Sequence, residues 1–208
     1  MKGALIGIAV LLVLAVAGTW AYVRGTGLRA RVAPGRVEIA LARTVRRWAV
    51  PAADRDRTNP VPRTPAVERE GLEHFADHCA SCHANDGSGN TEMGKGLFPP
   101  APDMRLAATQ QMTDGELFYV IEHGIRFTGM PGWSTGTPAG EESSWHLVHF
   151  LRRLPHLSKA EVDEMAGLNP RSPAEIREEI EQQRFLAGTD VQSQASSSAP
   201  EHHHGGGH

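Results

Sequence analysis

The pattern of apolar and polar positions divides the chain into parts of different character. Gly3 to Val23 is an uncharged run of 21 residues rich in Leu, Val, Ala and Ile, about the length that crosses a bilayer as a helix. Trp20 and Tyr22 stand at its end, where amphipathic rings favour the membrane interface. The same stretch also fits a cleaved signal peptide, with Lys2 as the charged start, Leu5 to Leu14 as the apolar region and Ala15-Val16-Ala17 as the cleavage site. Apolarity that continues past Ala17 to Val23 favours an anchor over residues 1–23.

Beyond it, Val37, Leu41, Val45 and Trp48 recur at near-helical spacing with Arg43, Arg46 and Arg47 between them. Such a basic amphipathic helix either lies on anionic headgroups or packs on the folded domain. Pro51 stops it, and Asn59-Pro60-Val61-Pro62 with Thr64-Pro65 reads as a stiff linker, so residues 24–63 form a stalk. The folded domain is expected over 64–157. Ala66 to Cys79 reads as a helix with Val67, Leu72, Phe75 and Ala76 on one side, and Gly71 within it implies close approach of another helix. Thr113-Asp114-Gly115-Glu116 is a capping box opening a helix with Leu117, Val120 and Ile121 inward. Glu141 to Leu154 carries the stripe Trp145, Val148, Leu151, flanked by Phe150 and Leu154. No segment alternates as a strand would, so the domain is mostly α. Capping boxes at Ser158 and Ser172 predict a helical extension over 158–187, with Ile176 and Ile180 as a narrow stripe. Residues 188–208 are polar, rich in Ser, His and Gly, and expected to be disordered; their histidines are a compositional metal cue or an inert solvated end.

Charge changes the picture in one respect. The net charge of -3 is unevenly spread. Residues 24–57 hold nine arginines against Glu38, Asp54 and Asp56, whereas residues 66–157 hold six basic and twelve acidic side chains. A nucleic-acid binder would carry its basic patch on the folded domain, so that class is excluded. The arginines after the apolar run would place that side in the cytoplasm by the positive-inside rule.

The chemistry lies in Cys79-Ala80-Ser81-Cys82-His83. Two thiols three positions apart can add across the vinyl groups of a haem, and the adjacent imidazole can ligate its iron. A redox dithiol would want a βαβ pattern nearby, and none is present. A structural zinc site usually takes four protein ligands, and there are only two cysteines. Covalent haem attachment takes place outside the bacterial cytoplasmic membrane, and this chemistry is given precedence over the charge rule. Opposite His83, Met130 is the best second ligand: it lies in the Gly- and Pro-flanked loop Gly129-Met130-Pro131-Gly132-Trp133. Met93 is close in sequence to His83, Met104 and Met112 suit core or surface, and His123, His146, His149 and His156 are weaker candidates.

These residues resemble those of a class I, mono-haem c-type cytochrome of the membrane-anchored bacterial kind, over roughly 66–157. Cys79, Cys82 and His83 match the attachment motif, and Met130 looks like the distal ligand. Gly71 and Phe75 resemble the first helix's contact, and Trp145 the aromatic of the terminal helix that crosses it. The resemblance implies a helical domain around one covalent haem c with His83 and Met130 as metal ligands. It also implies that a backbone carbonyl of Pro99, Pro100 or Pro102 accepts a bond from His83 Nδ1; Pro100 is taken as the working choice. Arg126 and Trp133 are implied propionate partners.

The expected role is electron transfer at the periplasmic face of the cytoplasmic membrane, as an electron carrier rather than an enzyme, with redox proteins bearing basic docking patches as partners. The alternatives are the haem subunit of a larger respiratory oxidoreductase complex and a haem peroxidase or gas-binding protein, which would need an open iron site.

Overall fold

The computed structural model describes residues 2–27 and 29–186. Among the described residues it is helical without a strand. The first helix, α1 (Lys2–Thr26), is the uncharged run, and is the one described helix long and apolar enough to cross a membrane. Helix α2 (Arg36–Ala49) follows, ending at the buried Val50, and then the short α3 (Ala52–Arg55).

The domain is built on a crossing of two helices. Helix α4 (Pro65–His74) begins with Thr64 Oγ1 accepting from Val67 N, proline at its first position, an arrangement in which the missing N–H costs nothing. Helix α9 (Pro138–Arg153) begins the same way on Thr137, three residues before the expected start. A Cβ at Gly71 would sit 2.9 Å from Phe150 Cβ and run into the His146 carbonyl, so only glycine lets α4 and α9 approach this closely. Phe75 packs on Phe150 at 5.1 Å between ring centroids, and Trp145 stacks instead on Phe118 at 4.0 Å. Phe118 belongs to α8 (Asp114–His123), opened by the Thr113–Glu116 box. Between lie the short α5 (Ala80–His83), α6 (Glu92–Gly96) and α7 (Ala107–Gln110).

Two boundaries differ from the sequence reading. The Pro-rich stretch read as linker is packed on the domain. Asn59 Nδ2 donates to the Trp145 carbonyl (2.9 Å), His149 Nε2 meets the Val61 carbonyl (2.8 Å) and Thr113 Oγ1 donates to the Arg55 carbonyl. Arg57 lies over the Phe118 and Trp145 rings, at 4.5 and 5.1 Å, and pairs with Glu141 at 2.6 Å. Proline supplies an extended backbone, and these long-range bonds fix where it runs. Likewise α10 (Lys159–Ala166), capped by Ser158, belongs to the core: Met165 is fully buried, Arg69 pairs with Glu164 at 2.7 Å, and Arg153 bridges Glu68 and Glu161. The compact unit therefore extends to Asn169. The second unit contains α11 (Pro173–Leu186), closed by the Ser172–Glu175 box and an Arg171–Glu179 pair, with Ile176 and Ile180 exposed. The tail at 188–208, with its histidines, lies outside the described residues.

Candidate functional site

The pentapeptide sits where the first domain helix changes pitch. The expected helix over 66–79 is α4 continued by a π turn, Phe75–Cys79, and then α5. Single π turns inside helices are frequent at functional sites; this one buries Phe75 and Ala76 against α9 and leaves both Cys79 and Cys82 half-buried. The two sulfurs form no disulfide. Burial, with Cys82 beside it, pushes the Cys79 thiol up to about 12. A redox dithiol needs the opposite, a thiol pKa lowered toward neutrality. Among the described residues no three His, Cys, Asp or Glu side chains converge to hold a metal ion.

His83 is held by the segment that follows it. Its Nδ1 is one of two buried side-chain polar atoms without a partner among the described residues, Trp145 Nε1 being the other. Burial lowers the imidazole pKa, and the Pro102 carbonyl, outside normal hydrogen-bond geometry, acts against that. Pro102 is one of the three prolines the sequence reading left open. Ala101 N donates to the Gly94 carbonyl at 3.0 Å, fixing the chain just before Pro102. Pro102 is fixed on its far side too. Met104 N donates to the Gly87 carbonyl at 2.8 Å, and Arg105 binds Asp103 (2.8 Å) and Asp86 (2.9 Å) together. Thr91, which caps α6, donates to the Cys82 carbonyl at 3.1 Å.

Met130 is half-buried in a loop closed on itself. Its N–H meets Thr128 Oγ1 (3.1 Å), its carbonyl accepts from Ile125 N (3.1 Å), and Thr128 Oγ1 donates to the Ile125 carbonyl (2.7 Å). Two contacts join this loop to segments flanking the pentapeptide in the chain. A Cβ at Gly129 would lie 2.5 Å from Leu97 Cδ2, just after α6, and Trp133 meets His78, the residue before Cys79, edge-on at 5.3 Å. His78 was not singled out from sequence; only its adjacency to Cys79 marked it. Arg126 is exposed and pairs with no carboxylate among the described residues. His146 and His149 are engaged elsewhere, with Glu70 (2.9 Å) and the Val61 carbonyl, and Met104 and Met112 are core. His123 packs on Tyr119.

Two further features suit a large apolar prosthetic group. Met93, Phe98, Leu106 and Phe127, between the pentapeptide and Met130 in the chain, are exposed, apolar side chains of the kind a porphyrin covers. Ala84, directly after His83, and Phe127, three before Met130, are the described non-glycine residues at positive φ, 59° and 62°. Such strain persists where surrounding structure over-determines it, often at functional sites. The residues present therefore fit a haem bound through Cys79 and Cys82.

Comparison with known proteins agrees with this chemistry. Residues 66–151 match the family model for cytochrome c oxidase, cbb3-type, subunit III. Over 98 residues, 45% of the chain, the sequence is 32% identical to the Cbb3-type cytochrome c oxidase subunit FixP of Rhizobium meliloti (strain 1021). The chain spans 29% of that relative's length.

Proposed function

We propose, from the premise that residues 66–151 are a c-type cytochrome domain, that this protein carries electrons through one covalent haem c. His83 and Met130 are its axial ligands, and the domain stands at the periplasmic face of the cytoplasmic membrane. The observation that carries the reading is the Cys79-Ala80-Ser81-Cys82-His83 pentapeptide with both thiols free, within a segment matching a cytochrome family model. The bound group would supply a one-electron couple. Cys79 and Cys82 would hold it, His83 would ligate from the side braced at Pro102, and Met130 from the loop opposite. A methionine facing a histidine raises the potential and fills the coordination sphere, which favours electron transfer over binding of oxygen or peroxide. Arg126 and Trp133 are the proposed propionate partners. The six basic against twelve acidic side chains over 66–157 match partners with a basic docking patch, in salt-sensitive association.

The match to an oxidase subunit favours work within a larger respiratory complex rather than as a free carrier. This subunit then carries electrons and the complex does the enzymatic chemistry. A redox titration with visible spectra tests the reading. The expected result is a single one-electron wave, with a low-spin ferric spectrum containing the weak far-red band of sulfur-to-iron charge transfer. A high-spin spectrum, or rapid carbon monoxide binding by the untreated ferrous protein, overturns the His83/Met130 assignment and favours the peroxidase or gas-binding reading. Co-purification in mild detergent separates subunit from free carrier.

A further inference from the structure

The helix α2 turns its apolar stripe outward. Val37, Leu41, Val45 and Trp48 are 83, 63, 50 and 81% exposed, and their spacing of four, four and three residues places them on one face. The other face carries the half-buried Ile39 and Arg46, the latter facing the charge of Glu116 on α8. A surface helix of a globular domain does the reverse, burying its stripe and exposing its charges. Three further arginines on the helix, Arg36, Arg43 and Arg47, pair with no carboxylate among the described residues. Arg31, just before it, lies 3.8 Å from the exposed Glu92. Glu38 is the single acidic residue from 24 to 49.

The place of α2 in the chain decides what covers that stripe. Residues 27–35 join it to α1, and this joint reaches at most about 35 Å fully extended. We propose that α2 lies in the headgroup layer of the membrane that α1 spans, with Val37, Leu41, Val45 and Trp48 among the acyl chains and its arginines on anionic lipid. The proposal rests on the reading of α1 as a span and on no property of the haem. A basic helix with an aliphatic and tryptophan face is the composition that enters an interface in this way, and each arginine near an anionic surface is worth about fivefold in partition. The consequence is a domain held at a fixed height. Val50 is buried where α2 ends, and Arg46 faces Glu116, so the domain is set against the lipid by α2 rather than swinging on a linker.

Nitroxide collision measurements on the full-length, haem-loaded protein in lipid nanodiscs test this. Labels are placed at Val45→Cys and, as a control on the span, at Val13→Cys, with single labelling verified by mass. In discs containing phosphatidylglycerol, the Val45 label is expected to collide with oxygen at least threefold more than with an aqueous nickel chelate. That preference is expected to fall when Arg36, Arg43 and Arg47 are all changed to Gln, or in discs of phosphatidylcholine alone. A Val45 label open to the chelate in anionic discs, with Val13 lipid-exposed, overturns the proposal. So does a Val45 label shielded from both reagents, which would place a protein, a second copy or another subunit, on the stripe. An aqueous Val13 label would instead refute the span.

Discussion

The two sides of the candidate haem site are built differently. The His83 side is a brace of distant segments. The 86–94 loop and the 99–105 segment are joined by backbone bonds at Gly87–Met104 and Gly94–Ala101, and by Arg105 across Asp86 and Asp103. On the Met130 side the loop's far end is tied to α8, where Trp133 N and Ser134 N donate to the Ile121 and Glu122 carbonyls (2.9 and 3.1 Å), but Met130 itself is held by short-range bonds through Thr128 and Ile125. A ligand held by bonds from several segments resists displacement, whereas one whose own backbone bonds are local can leave while the rest of the fold stands. The contrast assigns attachment and orientation to the first side and adjustment of the potential to the second.

The largest effect that could break the contrast comes from the anchors. Cys79→Ser with Cys82→Ser is expected to abolish covalent haem, read as loss of the added mass and of the red band on a denaturing gel. Retention of the added mass would end the attachment argument. Next, Met130→Ala is expected to leave a folded, covalently loaded protein that binds carbon monoxide rapidly. Its potential should fall by roughly 100 mV or more, since axial ligands set haem potentials over about 0.8 V. An unchanged potential would show that the loop supplies no ligand.

A smaller effect is expected at Arg105. Its bonds, working against some burial, hold the Asp103 carboxyl below the usual range. Asp86 is likewise held low, its burial outweighed by bonds from Ser88 and the Arg105 charge. Depressed carboxyls stabilise the fold fully above their unfolded value near pH 4 and lose that contribution as pH falls through the folded values. The side chains are 25 to 37% exposed, so solvent screening leaves about 1 kcal/mol for the cluster. Arg105→Gln is expected to lower Tm at pH 7 by several degrees and to flatten the loss of stability below pH 4, measured by calorimetry across pH. An unaltered acid limb would remove Arg105 from the brace. The smallest change is Thr128→Val, which deletes two loop bonds worth about 1 kcal/mol together. It should speed exchange of Met130 for added imidazole and lower Tm by only a few degrees, no more than Arg105→Gln does. A fall in Tm without faster exchange would reverse the assignment of the two sides.

The pentapeptide, the helices on either side of Gly71, and the capping boxes at Thr113, Ser158 and Ser172 were legible because each is a local pattern with a local cause. What escaped depended on partners far along the chain. Residues 50–63 carry the composition of a linker and become part of the domain through Asn59, Arg57 and Val61, whose partners lie more than 80 positions away. Met165 gave no sign of being core, because α10 has a weak stripe and is held by Arg69 and Arg153. Which of Pro99, Pro100 and Pro102 lies nearest His83 depends on how the segment folds back, which composition does not encode. The exposed stripe of α2 was readable as amphipathic, but not as facing away from the domain.

The Arg57 sandwich has a mechanical corollary. The tether from α1 enters the domain at Val50 and is clamped to the Phe118 and Trp145 rings, to Glu141 and to the Trp145 carbonyl before α4 begins. Any pull from the bilayer is therefore spread into α8 and α9 ahead of the turn bearing the two sulfurs. The candidate haem site is thus strain-relieved, as a cable is by a clamp ahead of its connector.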